Sequence, residues 1–320
     1  MKPASLPFSR AWTLATAATL AALTGCGDSA PPYADATAAW RDFDGAKAYA
    51  HVTDIVAMGP RPPGSDSLEK SRVHIEAHLR GLGWQVRRQT FTSKTPNGPV
   101  EFVNLRARFA EKDSDALWRS TVRVLVCSHY DTKLYRDLTF VGANDPGSSM
   151  GALMEISRVL SLRPKLAARI ELIFFDGEEA FGPNITPTDG LYGSRQYGRE
   201  ILRPLSPKQK PRWGVLLDMV GDRDLKITLP NDTPPDLMRL TLQSAEDLGH
   251  RARFGVSRTS IIDDHVPLNV EGVPTVDIID FDYPYWHTPS DTADKLSPES
   301  LTIVGQTTLH LIERRLVRDE

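Results

Sequence analysis

Ile170-Glu171-Leu172-Ile173-Phe174-Phe175-Asp176-Gly177-Glu178-Glu179 is the stretch on which the reading of this chain turns. Residues 170–175 read as a buried strand that runs straight into two adjacent carboxylates. In an α/β sheet, ligands bind in the crevice beyond the carboxyl ends of the strands. Neighbouring carboxylates repel, so holding both at a strand end calls for a compensating cation or a shared proton. A Glu-Glu pair alone is more often a solvated acidic turn. Other acidic and histidine positions along this chain reverse that reading.

Outward from residue 170 the pattern repeats. Residues 121–127 are nearly continuously apolar and lead into Ser128-His129-Tyr130-Asp131. Residues 213–220 form another apolar strand ending near Asp218, and residues 273–279 a further one. Between them lie helical spacings over 148–160, 191–200 and 235–248, and an amphipathic helix closes the chain over 298–317. Upstream, helices over 46–58 and 67–82 flank the breaker cluster Gly59-Pro60-Arg61-Pro62-Pro63-Gly64, and residues 84–91 and 100–109 alternate as strands. Apolar strands alternating with helices predict an α/β sheet covered on both faces.

Composition is that of an ordinary globular protein. The chain has 320 residues, 40% hydrophobic and 25% charged, with a net charge of −3 and a pI near 6.3. No cluster of Lys or Arg points to nucleic acid. At the N-terminus Lys2 and Arg10 precede an apolar stretch, 11–23, too short to span a bilayer comfortably. It ends Leu23-Thr24-Gly25-Cys26, which resembles a bacterial lipobox. That resemblance implies a signal peptide over 1–25 and acylation of Cys26; the small, Pro- and Ala-containing run after it reads as a tether over 26–39, followed by a single domain over 40–320. The expected location is the bacterial cell envelope, lipid-anchored, facing the periplasm or exterior. Cys127 is the only other cysteine, so no intramolecular disulfide remains once Cys26 is lipidated.

Polar residues recur where these strands end: His129 with Asp131, Asp145, Glu178 with Glu179, Asp218 and His287. Mixed imidazole and carboxylate donors are what zinc takes in hydrolytic and acyl-transfer sites, with one position left for substrate. Each residue alone is weak, since an Asp after a strand is often a helix cap. Their common placement is what points to a site.

Ser128-His129-Tyr130-Asp131-Thr132-Lys133, Gly142-Ala143-Asn144-Asp145, Phe174 to Phe181, Tyr192-Gly193-Ser194-Arg195, Leu216-Leu217-Asp218-Met219 and Trp286-His287-Thr288 resemble the zinc aminopeptidase superfamily, and within it the glutaminyl-peptide cyclotransferase branch. The resemblance runs from about Gly59 to the C-terminus. It implies a single α/β domain with a central mixed, mostly parallel sheet flanked by helices. It also implies Asp145, Glu179 and His287 as metal ligands and Glu178 as the proton-transfer residue, with Asp218 and Asp263 assisting catalysis. In the dinuclear aminopeptidases the positions matching His129 and Asp218 hold a second zinc. Trp286 and Asp277 are expected to bind substrate; Asp277 stands where animal cyclases carry a histidine.

The implied reaction is cyclisation of an N-terminal glutamine to pyroglutamate with release of ammonia, using one zinc per chain. The alternative is a dinuclear aminopeptidase with two. A non-catalytic binding module on the same scaffold is disfavoured because every ligand-type position and Glu178 are intact. The expected partners are peptide or protein N-termini, with the membrane reached only through the lipid and the chain a monomer.

Overall fold

A computed structural model describes residues 38–317, so the signal segment and Cys26 lie outside the described residues. The elements run α1 (Gly45–Val56), α2 (Asp66–Gly81), β1 (Trp84–Thr95), β2 (Gly98–Phe109), α3 (Asp115–Arg119), β3 (Val124–His129), α4 (Ser149–Ser161) and α5 (Pro164–Ala167). Then follow β4 (Ile170–Phe175), α6 (Tyr192–Tyr197), β5 (Trp213–Asp218), β6 (Ile227–Leu229), α7 (Pro235–Asp247), β7 (Phe254–Val256), α8 (His265–Val270), β8 (Thr275–Ile279) and α9 (Pro298–Leu311).

Six strands form the main sheet in the order β1-β2-β4-β3-β5-β8. The long hairpin β1-β2 joins β4 antiparallel, while β4, β3, β5 and β8 run parallel. Their carboxyl ends therefore gather at one edge. β3 and β4 are buried along their whole length, which is why they read as unbroken apolar runs. The two-residue period sorts their faces. Leu125, Cys127, Ile173, Phe175 and Leu216 pack with Tyr197 of α6 and Leu268 of α8. On the other face the Ser128 hydroxyl meets that of Ser149, at the start of α4, at 2.9 Å. α4 is buried on nearly every side, with α1 and α9 against it. Among the described residues no helix is long and apolar enough to cross a membrane.

Several expectations shift. Ala38 and Ala39, read as the end of the tether, are buried, and the Ala39 N–H donates to Glu313 at 2.9 Å. Alanine is small enough to fit against the closing helical segment, which composition alone does not reveal. The strand read over 213–220 and ending near Asp218 does stop at Asp218, where Met219 adopts a left-handed backbone with φ 46°. Five elements were not foreseen: α3, α5 and α8, each too short for a clear period, and the two strands of the small parallel pair β6-β7.

Candidate metal centre

Each predicted donor arrives from a different strand end. His129 closes β3 and Asp218 closes β5. Glu178 and Glu179 follow β4, Asp145 sits in the turn before α4, and His287 lies in the loop after β8. The turn after β4 needs its glycine: Gly177 has φ 71°, and a Cβ there would lie 2.4 Å from the Phe102 ring. Gly142, before Asp145, has φ 53°, and its Cβ would meet the Asp145 carbonyl at 1.9 Å. His287 itself holds φ 55°, a conformation uncommon for a non-glycine residue and concentrated at functional sites.

The side chains converge as two donor triples that share one carboxylate. His129 Nε2 lies 3.2 Å from Asp145 Oδ1 and 3.2 Å from Asp218 Oδ1. His287 Nε2 lies 3.3 Å from Asp145 Oδ2 and 3.0 Å from Glu179 Oε1. Within each triple the donor atoms fall within 4.8 Å of one another. Two carboxylates and one imidazole with no thiolate is a donor set that zinc accepts, and three protein donors leave a position open. The second oxygen of Glu179 faces the Lys133 ammonium at 3.5 Å.

The electrostatics follow from burial. It opposes the charged form of His287, but hydrogen bonds to Asp145 and Glu179 outweigh it and raise the imidazole to about 9. Burial likewise opposes ionisation of Asp145, yet the two histidines hold its carboxyl below the usual range. Burial pushes Glu178 well above the ordinary carboxylate value; His129 opposes the rise and Glu179 and Asp263 add to it. Asp263 is pushed well up by burial and by the nearby Asp218 and Asp264 charges. A cation placed among these groups is the physical remedy for so many buried carboxylates.

All of these donors except the buried His129 line a cavity of about 240 Å³, with Asp263, Lys133 and Ile279 also on its wall. Trp286 stands at its mouth, 41% exposed, stacked on the His287 ring at 4.1 Å. Asp277 corrects the expectation made for it, since it is fully buried and does not line the cavity. It points to the same face of β8 as Ile279, which does line it, but sits two residues deeper in the strand. There its carboxylate comes within 3.6 Å of His265 Nδ1.

A supporting layer was not singled out from sequence. Asp131, noted only as a neighbour of His129, accepts the backbone N–H groups of Glu178 (3.1 Å) and Glu179 (3.3 Å) and lies 3.6 Å from His129 Nδ1. Asp291 accepts from the N–H of Asn144 (2.8 Å) and of Asp145 (3.1 Å), and from the Tyr283 hydroxyl (2.8 Å). Arg61, fully buried, donates to the carbonyls of Gly59, Val141 and Gly142 and so fastens the turn before Asp145. Asp291 lies in a Ser/Asp/Thr run that reads as loop, and Arg61 in the breaker cluster; neither carries a periodic signal.

Fold and site together define a metal-dependent enzyme on the aminopeptidase scaffold. Comparison with known proteins agrees: the model of peptidase family M28 matches residues 104–312. The glutaminyl-peptide cyclotransferase of Boiga dendrophila is 32% identical over 284 residues, covering 77% of this chain and 75% of the relative. The crystal structure of an Acidobacteriales bacterium glutaminyl cyclase superposes with a TM-score of 0.77 at 33% identity, covering 87% of this chain and 96% of that one. A Zn-dependent exopeptidase from Parabacteroides distasonis superposes with a TM-score of 0.76 at 28% identity, covering 86% and 99%. The chain belongs to peptidase family M28 and, within it, to the glutaminyl-peptide cyclotransferases.

Proposed function

We propose that this enzyme converts the N-terminal glutamine of peptides to pyroglutamate, releasing ammonia, with one zinc per chain held by Asp145, Glu179 and His287. The observation that carries this reading is the cavity of about 240 Å³ in which Glu178, Asp218 and Asp263 stand beside that donor triple. It is smaller than pockets for drug-sized ligands, roughly 300–1,000 Å³, and suits a single terminal residue.

A zinc ion bound there supplies Lewis-acid polarisation of the side-chain amide oxygen. The residues do the rest. The α-amine attacks the glutamine side-chain carbonyl carbon, a new C–N bond closes the ring, and the bond to the amide nitrogen breaks. The nucleophile is already tethered, so the enzyme's contribution is mostly orientation. Glu178 accepts the proton that the amine loses and passes it to the departing nitrogen, which leaves as ammonia. Burial, which raises Glu178, suits a group that must both take and return a proton. Asp218 and Asp263 hold the amine by charge-assisted hydrogen bonds, and Trp286 forms the apolar wall.

The triple His129, Asp145 and Asp218 favours a second reading, a dinuclear zinc aminopeptidase in which Glu178 activates water. One assay separates the two. A Gln-initiated peptide incubated with the enzyme is expected to lose about 17 mass units as ammonia with every residue retained (mass bookkeeping for the proposed chemistry). Release of free glutamine overturns the cyclase reading, and metal analysis finding two zinc ions per chain supports the aminopeptidase. The same proposal has the enzyme monomeric and exported, anchored through lipidated Cys26 in the cell envelope. A Cys26→Ala variant that stays in the membrane fraction would remove the anchor from it.

A further inference from the structure

A second depression lies directly beside the catalytic cavity. It encloses about 480 Å³ and shares two wall residues, Ile185 and Ile262, with the cavity that holds the metal donors. Its floor includes Leu191 and the α8 residues Val266, Pro267 and Val270. The two depressions are thus one continuous surface, divided by an apolar ridge.

Exposed apolar side chains concentrate here. Among the described residues seven large hydrophobics are exposed, and four of them, Ile262, Val270, Phe281 and Trp286, border these two depressions. Val270 is 75% exposed and Ile262 60%. Single exposed apolar residues need no explanation, but a contiguous set that leads out of a catalytic cavity marks a binding surface. Charge adds direction. The groove wall carries Arg195, Arg199 and Arg203 against one carboxylate, Glu271, and so is net positive. Arg195 is held in place by the carbonyls of Pro187 (2.8 Å) and Thr186 (2.7 Å), and Arg203 pairs with Glu271. The Arg199 guanidinium donates only to the neutral Gln196 amide among the described hydrogen bonds, which leaves its charge for a ligand.

We propose that this groove binds the downstream part of the peptide substrate, roughly its third to fifth residues at about 3.3 Å of extended chain each, and selects apolar and acidic side chains there. The inference rests on the cyclotransferase reading for the chemistry at the first residue. The catalytic cavity accommodates one terminal residue, so the rest of the peptide must leave across its mouth. The ridge of Ile185 and Ile262 hands it to Val270 and the arginines.

The test compares kcat/KM for three amidated peptides: Gln-Ala, Gln-Ala-Leu-Glu-Ala and Gln-Ala-Lys-Lys-Ala. Covering one exposed valine and adding one charge contact predicts roughly tenfold higher kcat/KM for the Leu-Glu peptide than for Gln-Ala, carried by KM. The Lys-Lys peptide gains nothing. Val270→Asp and Arg199→Glu are each expected to cut the gain, and the double variant to erase it, while Gln-Ala turnover stays unchanged. Equal values for the three peptides, or a gain that survives both substitutions, overturns the proposal. Should Gln-Ala be hydrolysed instead of cyclised, the reaction assignment falls. The same ratios, read as release of the first residue, then still decide the groove. If neither reaction occurs, fluorescence anisotropy of the labelled pentapeptides gives the same ranking or refutes it.

Discussion

Two buried carboxylates flank β4, Glu171 at its start and Glu178 three residues past its end, and they are treated in opposite ways. At its start Glu171, fully buried, receives Arg106 Nε at 2.7 Å and Arg108 Nε at 2.6 Å, with the Tyr197 hydroxyl at 3.2 Å. Burial alone raises such a group, but the two arginines prevail and hold Glu171 below the usual carboxylate range. A few residues on, the cavity wall presents Asp145, Glu178, Glu179, Asp218 and Asp263 against only Lys133 and the His287 imidazole. There Glu178 and Asp263 are driven up instead. The paired end is finished as folded, since its charges satisfy one another. The other end is complete only with a cation and a substrate, which is what a catalytic site requires.

The largest effect is expected from removing the proton carrier. Glu178→Gln should lower kcat by about a thousandfold, within the range for general acid–base groups, while metal analysis finds zinc content unchanged. Full activity would remove Glu178 from that role. Breaking the paired end should do the reverse. Arg106→Met is expected to cost about 3 kcal/mol in urea unfolding, near the low end for a broken buried pair because Arg108 remains. Activity per folded molecule should stay near wild type.

The third expectation separates the ends by pH. The ordinary glutamate value is 4.5, and Glu171 lies below it while Glu178 lies well above. A carboxylate with a lowered folded pKa contributes stability above its unfolded value and loses it as pH falls through the folded one. Glu178 acts as a base only above its raised pKa. Acidification should therefore abolish activity reversibly at a pH where near-UV circular dichroism still reports the native fold. Loss of both signals together would erase the contrast. The smallest effect concerns the supporting layer: Tyr283→Phe removes the hydroxyl that donates to Asp291, for about 1 kcal/mol of stability and a few-fold change in turnover.

How much of this is legible in the sequence depends on the range of the interaction. The parallel strands, the helices between them and the donors at strand ends can be read because each rests on a local period or a short motif. Asp277 shows the limit. Its strand is readable, but only the sheet shows that Ile279 takes the cavity wall while Asp277 sits one step deeper. Glu171 is harder still: its arginines lie on β2, in antiparallel register with β4 and more than sixty residues away along the chain. Nothing near residue 171 distinguishes a paired glutamate from an unpaired one. Arg61 and Asp291 act on the Asp145 turn from still greater distances in sequence.

By itself the sequence determined which residue types stand where the strands end, because backbone period and turn chemistry are local properties. Only the tertiary structure decided which carboxylates receive arginines and which face a shared cavity. Charge pairing depends on distance through space and on burial, and neither is a property of a residue's neighbours along the chain.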